Sequence, residues 1–178
     1  MLSQGLISPP PTPISHTNAN VRVPDDHLLL GGGFEVKYQG AGNLGTGTFP
    51  SSSVHWNALS KDLDSPDPSI IEVYAIGLDK QKIRTLTAND VFVSYNSDET
   101  LAANHPSNSS APLDGFALCG GGATAHWYNK GNYLWKLEPT IVRSEDPADQ
   151  SFSAASKDHI HPESCTLTTY AMGIKLAT

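Results

Sequence analysis

The chain of 178 residues has few basic side chains, few charges and no long apolar run. It carries 11 Lys and Arg against 18 Asp and Glu, which gives a net charge of −7, and no basic run interleaves with aromatic residues. This charge balance predicts that nucleic acid is not a partner. The apolar runs are too short to span a bilayer, so we expect a soluble protein without a membrane span.

Other features are also scarce. The N-terminal stretch MLSQGLISPPPTPISH lacks both a basic and a long apolar segment, so no signal peptide is visible. A secreted protein that had lost its leader would begin in the same way, so the localisation stays open. Of the two cysteines, Cys119 and Cys165, a disulfide is feasible only if their strands are neighbours. Asn108 begins an Asn-Ser-Ser sequon in an expected loop, which matters only in a secreted chain.

What is present is typical of short strands. Gly (15) and Pro (13) are frequent, and no segment has the period of an amphipathic helix. Apolar and polar residues alternate in FEVKY (34–38) and ATAHW (123–127), which indicates half-buried strands. SIIEVYAIGL (69–78) is apolar on both faces, as central strands tend to be. GLIS and DVFVSY each predict one further strand.

The chain contains two similar halves. LLLGGGFEVKYQGAGN (28–43) aligns without gaps to ALCGGGATAHWYNKGN (117–132) at an offset of 89 positions. SKDLDSPDPSIIEVYAIGL (60–78) aligns to SKDHIHPESCTLTTYAMGI (156–174) at an offset of 96. The change of offset places a seven-residue insertion in the second half, within IVRSEDPADQ. We therefore predict a tandem duplication of a unit of roughly 90 residues.

The repeat sets the expected domain organisation. Residues 1–84 form the first β-repeat unit and residues 85–178 the second. About five short strands per unit favour antiparallel sheets, arranged as a β-sandwich or a barrel. The units form either two small sandwiches or one fused structure with pseudo-twofold symmetry. We favour the fused structure, because ~90 residues of short strands bury only a small core alone.

The repeated pattern GGG…GN…P…W.A.SKD…VYAIGL resembles repeat modules of many bacterial and some fungal proteins. Those modules have a Gly-Gly-Gly strand, a YPS turn, a Trp strand and a closing VYAIG strand. The resemblance covers nearly all of both halves, although the first half has TFPSS at the turn and the second has LEPT. It implies a β-rich module and no particular activity.

Two glycine-rich patterns suggest a ligand. GAGNLG (40–45) has the spacing of a dinucleotide site, but the following TGTFPSSS cannot begin the helix that would hold a pyrophosphate. We therefore predict that the protein uses no cofactor. The triplets at 31–33 and 120–122 bring the backbone close either to a ligand or to a neighbouring strand, and we favour strand packing.

Histidines and the repeated Ser-Lys-Asp tripeptide are candidates for metal binding or catalysis. His159 and His161 lie at strand spacing near Glu163, but no third ligand is evident, so we predict no catalytic metal. Adjacent strand residues point to opposite faces, so residues 60–62 cannot converge on a substrate. We favour a structural tie between a strand end and its loop. The alternative is that Asp158 and its counterpart in the first half bind sugar hydroxyls or Ca²⁺.

Aromatic residues distinguish the second half, in the segment HWYNKGNYLWKLE (126–138). Exposed rings beside amide and amine groups stack flat, weakly polar ligands or sugar faces. We therefore predict one main site in the second half, which also differs from the first by the insertion that precedes Ser151. The predicted ligand contacts are Trp135, Tyr133, Tyr128 and His126, with Asn132 and Lys157 as polar partners.

Two classes of function fit these features. The first is a cofactor-free binding module, lectin-like or specific for a small apolar or aromatic molecule, so that the expected partner is a small molecule or a glycan. The second is a cofactor-independent enzyme of the cyclase, pericyclase or isomerase type, which shapes an apolar, natural-product-like substrate in an aromatic-lined cavity. We favour binding. A deep closed cavity would favour the enzyme, and a shallow aromatic shelf the lectin.

Overall fold

The computed structural model describes residues 15–82, 91–141 and 150–176. The regular elements in these ranges are β-strands, except for one short 3-10 turn at Lys80–Lys82, so the predicted all-β class is confirmed. The strands are β1 (His16–Arg22), β2 (His27–Lys37), β3 (Asn43–Pro50), β4 (His55–Asp62), β5 (Ile70–Asp79), β6 (Val91–Glu99), β7 (Ser107–Ser110), β8 (Ala117–His126), β9 (Asn132–Ile141), β10 (Gln150–Asp158) and β11 (Thr166–Leu176). The strand suggested by GLIS and most of the segment that holds the insertion lie outside the described residues.

The strands form three antiparallel sheets. Six strands join in the order β1-β4-β3-β8-β11-β6, three in the order β7-β10-β9, and β2 pairs with β5. Within the described ranges none of these sheets closes on itself, so the barrel alternative is not what the structure shows. The same ranges contain no helix with the length and apolarity needed to cross a bilayer.

Burial alternates along β4, and it also alternates along β5, which was expected to be apolar on both faces like a central strand but pairs with β2 alone in the described residues. Trp56 and Ala58 are buried along β4, and Ile71, Val73 and Ala75 are buried along β5, with less buried residues between them. This period of two places one face of each strand against the core. Each of the two strands therefore contributes a row of side chains to the same interior.

Four strand pairs contain a β-bulge. The register shifts occur in the pairs β2–β5, β3–β4, β8–β11 and β9–β10. The residues skipped by the pairing are Leu30, Thr46, Cys119 and Trp135. A bulge bends its strand and re-aims the extra side chain, which explains why Trp135 leaves the regular pattern of β9.

The buried apolar residues form two clusters. The larger one joins β1, β2, β4, β5 and Met172 of β11 around Trp56, and the smaller one joins β8, β10 and β11. Cys119 packs against the larger cluster whereas Cys165 belongs to the smaller one, and both thiols are free. Asn108 lies in strand β7, not in the expected loop, and its side-chain nitrogen is buried.

Glycine allows two aromatic rings to touch the backbone of the facing strand. A Cβ atom at Gly32 would overlap the Trp56 ring, and one at Gly121 would overlap the Phe152 ring. The indole of Trp56 is fully buried and donates its Nε1–H to Thr48 Oγ1 at 2.8 Å. Strand packing, the interpretation favoured from the sequence, therefore describes the middle glycine of each triplet.

Replacing Trp56 with alanine should remove the centre of the larger cluster. We expect the free energy of unfolding to fall by about 3–5 kcal/mol, because the change opens a large cavity and leaves Thr48 without its indole donor. Urea denaturation measures this loss. Trp135→Ala is the matched control: the ring is 61% exposed, so the expected change is within about 0.5 kcal/mol. A loss below about 1 kcal/mol for Trp56→Ala would contradict the position of Trp56 in the core.

Candidate functional site

An open cleft of about 490 Å³ lies between β2 and β9. Its lining residues come from these two strands and from β3, β5, β8 and β10. They are Leu30, Gly31, Gly32, Gly33, Phe34, Thr48, Ile76, Cys119, Gly120, Gly121, Leu137, Pro139 and Phe152. Almost all of these residues are apolar or lack a side chain, and a cleft of this size and character suits a small apolar ligand.

The cleft occurs where two strands do not pair. The strands β3 and β8, which hold the aligned places in the two halves, do pair, through Gly47 with Thr124 and Thr48 with Ala123. In the described part of the chain β2 pairs with β5 alone, and β9 pairs with β10 alone. Both strands are therefore edges of their sheets, and edge strands carry unpaired backbone N–H and C=O groups.

The outer glycines of the two triplets differ in their surroundings. A Cβ atom at Gly120 would overlap the Leu30 carbonyl oxygen, and one at Gly122 would overlap the Thr48 carbonyl oxygen. At Gly31 and Gly33, which hold the matching places 89 positions earlier, a Cβ atom would meet nothing within 4 Å. Beside Gly120 and Gly122 this space is filled by the backbone of a neighbouring strand, whereas beside Gly31 and Gly33 it is part of the open cleft.

The side chains that line the cleft offer little acid–base chemistry. Thr48 and Cys119 carry the only side-chain heteroatoms among the lining residues, and the Thr48 hydroxyl already accepts a hydrogen bond from the Trp56 indole N–H. Burial raises the pKa of the Cys119 thiol to about 11, so the thiol stays protonated at neutral pH and is not a thiolate nucleophile. The arrangement can bind an apolar surface more readily than it can transfer a proton.

Three of the six ligand contacts predicted from the sequence share a second, smaller cavity. Trp135, Tyr133 and Lys157 line about 90 Å³ of space together with Leu44, Leu134 and His159. Trp135 and Lys157 are exposed there, whereas only a small part of Tyr133 reaches the surface. The cavity can therefore hold the edge of a ring against Trp135, but not a whole ligand.

Two predicted contacts lie elsewhere on the surface. Tyr128 is 92% exposed in the loop between β8 and β9, and its ring lines neither cavity. His126 is exposed at the end of β8, where Nε2 lies 2.8 Å from Thr168 Oγ1. The structure does not bring these two side chains together with Trp135 in one cavity.

Asn132 and Tyr133 have structural partners. The fully buried Asn132 amide donates to the carbonyl oxygens of Asn104 (2.8 Å) and Glu163 (3.0 Å). The Tyr133 hydroxyl lies 3.0 Å from the Asp62 carbonyl oxygen, and burial raises its pKa to about 12. Both side chains hold loops to strands, which explains their position without a ligand.

The Ser-Lys-Asp tripeptide of the first half ties the two halves together. Lys61 is buried, and its Nζ donates to the carbonyl oxygens of Asp62 (2.9 Å) and Lys130 (2.7 Å). The same ammonium group lies 4.9 Å from the centre of the Trp127 ring, within range of a cation–π interaction. Burial lowers the pKa of Lys61, and the charge of Asp62 opposes that shift. Its counterpart Lys157 is exposed.

A carboxylate clamp holds the loop before β9, and sequence reasoning missed it. The Glu163 side chain accepts backbone N–H groups of Tyr128 (2.7 Å), Asn129 (3.0 Å), Lys130 and Gly131 (2.9 Å). Asp67, 96 positions earlier, accepts the N–H groups of Gln39, Gly40 and Gly42 in the same manner. Two acidic residues at aligned positions of the two similar sequence segments were the signal that could have found these clamps.

The His159–His161 segment forms a tight turn. His161 N donates to the His159 carbonyl oxygen at 2.8 Å, and Ile160 between them has φ +68°. Nε2 of His161 lies 3.2 Å from Asp64 of the first half. Among the described residues no group of three or more His, Cys, Asp or Glu side chains is placed to hold a metal ion.

Comparison with protein-family models, with curated proteins and with solved structures finds no match for this chain. The resemblance to bacterial and fungal repeat modules therefore stays an expectation from the sequence, and the site has to be interpreted from its own geometry.

Glu163→Gln should weaken the fold in a pH-dependent way. Burial acts to raise the pKa of Glu163, but four backbone N–H donors outweigh it and hold the pKa below its usual range. A depressed pKa stabilises the fold at neutral pH, and this contribution is lost as the pH falls through the pKa of the folded state. At pH 7 we expect a loss of about 1–3 kcal/mol in urea denaturation.

The difference between the wild type and Glu163→Gln should shrink as the pH is lowered from 7 to 3. Glu138→Gln is the matched control, since Glu138 is exposed on β9 and pairs only with Lys136 among the described residues. Equal stability of the wild type and Glu163→Gln at pH 7 would show that the clamp does not hold the loop.

Proposed function

We propose that this protein is a cofactor-free binding protein that holds a small apolar or aromatic molecule in the cleft between β2 and β9. The observation that carries the proposal is the open space beside Gly31 and Gly33, where the matching glycines of β8 meet backbone atoms. The volume of about 490 Å³ lies in the range typical of small-molecule sites, roughly 300–1,000 Å³. Apolar area transferred from water into such a cleft contributes about 25 cal/mol per Å².

The chemical groups that line the cleft favour a binding function over a catalytic one. A cyclase, pericyclase or isomerase that acted on the same class of molecule would have only the Thr48 hydroxyl, the protonated Cys119 thiol and backbone dipoles at hand. Proton transfer requires a side chain whose pKa lies near the working pH, within hydrogen-bond reach of the substrate. Catalysis by shape alone is the alternative form of the proposal.

We also propose that the two halves are copies of one unit, related by pseudo-twofold symmetry in a sandwich-like packing. The strand registers support this idea: the bulge residues Leu30 and Cys119 are 89 positions apart, as are Thr46 and Trp135. The cross-strand pair Val21–Trp56 likewise has its counterpart in Ser110–Phe152, at the offsets of 89 and 96. The cleft then marks a place where the copies differ, because β3 pairs with β8 whereas the corresponding strands β9 and β2 do not pair.

The cavity beside Trp135 carries a second candidate, a lectin-like shelf. Trp135 offers an exposed ring, and Lys157 supplies a cation for which no hydrogen-bond or ion-pair partner is found among the described residues. A sugar face or a flat ring stacked on the indole would fit this geometry. Because this cavity is much smaller than the cleft between β2 and β9, we favour the cleft as the binding site.

Gly33→Leu should block the cleft and leave the fold intact. Its Cβ meets no atom within 4 Å, so the leucine side chain extends into the open space. We expect an uncharged apolar dye, N-phenyl-1-naphthylamine, to bind the wild type with a rise in fluorescence, and to bind Gly33→Leu at least tenfold more weakly. Thermal shift with a panel of uncharged aromatic compounds should follow the same pattern, since bound ligand stabilises the native state.

Thr140→Leu is the matched control, because it adds the same side chain at an exposed position of β9. It should bind the dye like the wild type. Equal binding by Gly33→Leu and Thr140→Leu would contradict the proposal. On a glycan array, binding that disappears in Trp135→Ala and persists in Gly33→Leu would assign the function to the shelf instead.

A further inference from the structure

The filled junction between β3 and β8 shows what kind of group the glycines accept. At Gly122 the nearest atoms to a Cβ position are the Thr48 carbonyl oxygen, the Thr48 carbonyl carbon and the Phe49 Cα, the last two at 2.9 Å. All three are main-chain atoms of an extended strand. At Gly120 the nearest atoms are again main chain, from Leu30 and Gly31. These glycines therefore accommodate a strand backbone, not a side chain.

The matching surface of β2 has the same glycines without the strand. Gly31 and Gly33 meet nothing within 4 Å on the side where the second triplet meets backbone. Across the cleft, β9 presents Leu137 and Pro139, and it forms the outer strand of its own sheet. The backbone groups at these two edges have no strand partner in the described residues, and a strand added to such an edge satisfies them.

We propose that the ligand of the cleft is a short peptide segment in extended conformation, bound along the free edge of β2 by main-chain hydrogen bonds. A paired strand lies about 4.8 Å from its neighbour. No side chain at Gly31 or Gly33 fills the space beside β2, whereas the backbone of β3 fills the corresponding space at Gly122. This inference rests on the proposed function, and it specifies the chemical class of the apolar ligand.

The lining predicts the composition of the peptide. No lining residue carries a charge, so a charged side chain would lose its hydration without a partner. The strand that occupies the matching junction has the sequence Asn-Leu-Gly-Thr-Gly-Thr-Phe-Pro, with small or β-branched residues at its centre. We therefore expect an uncharged segment rich in Gly, Ala, Ser, Thr and Val.

The test measures the binding of labelled octapeptides to the full chain by fluorescence anisotropy. One probe is NLGTGTFP, which copies Asn43–Pro50, and the other is a library of octapeptides randomised over Gly, Ala, Ser, Thr and Val. We expect saturable binding that weakens at least tenfold when alternate backbone amides of the selected peptide are N-methylated. Gly33→Leu should weaken it equally, and Thr140→Leu should not.

Each other outcome is decisive. Equal binding of the N-methylated and the parent peptide would overturn the inference, because strand pairing needs the backbone N–H groups. No peptide binding, together with Gly33-dependent binding of N-phenyl-1-naphthylamine, would overturn the inference and leave the proposed function standing. Failure of both probes would overturn both. A dimer at high protein concentration that Gly33→Leu abolishes would show that the occupant is a second copy of the chain.

Discussion

The absence of a Cβ atom at six positions of β2 and β8 is the constraint on which this structure depends. Gly32 and Gly121 let the rings of Trp56 and Phe152 lie directly on the strands, where any side chain would overlap them. The outer glycines of the two triplets leave the opposite face of each strand without side chains as well. A bare strand has to be covered by something other than its own side chains, and in β8 the covering group is the backbone of β2 and β3. In β2 the equivalent surface is open, and the cleft follows from that difference.

The rest of the described structure holds this cleft in a defined shape. Trp56 is fixed in the core below β2, and Lys61 fastens the end of β4 to the loop before β9. The Glu163 carboxylate fixes the same loop through four N–H donors. A site whose walls are fixed before the ligand arrives needs less ordering upon binding, and this raises its affinity. The binding proposed at the free edge of β2 would then depend on contacts already in place.

Much of the fold, and little of the site, could be predicted from the sequence. Alternation and β-branched composition predicted the strands, and the register of the alignment placed Trp56 and Phe152 at equivalent positions. The same alignment could not show that Tyr133 is buried, because its hydroxyl reaches the carbonyl oxygen of Asp62 at the end of β4, 71 positions away in sequence. The open cleft was also beyond prediction, since the two glycine triplets are identical. Their difference lies in which strands are neighbours, a property of the tertiary structure.

Backbone hydrogen exchange tests the central claim, that the edge of β2 toward β9 is open where the matching edge of β8 is paired. Of the two neighbouring residues Phe34 and Glu35, the one whose backbone amide points away from β5 is compared with the residue 89 positions later. That residue is Ala123 or Thr124, in the part of β8 that pairs with β3. Measured by NMR without ligand, the β2 amide should exchange at least tenfold faster, because it lacks the strand partner that protects its counterpart. Equal protection at the two positions would mean that β2 and β9 are paired in solution, and it would contradict the account.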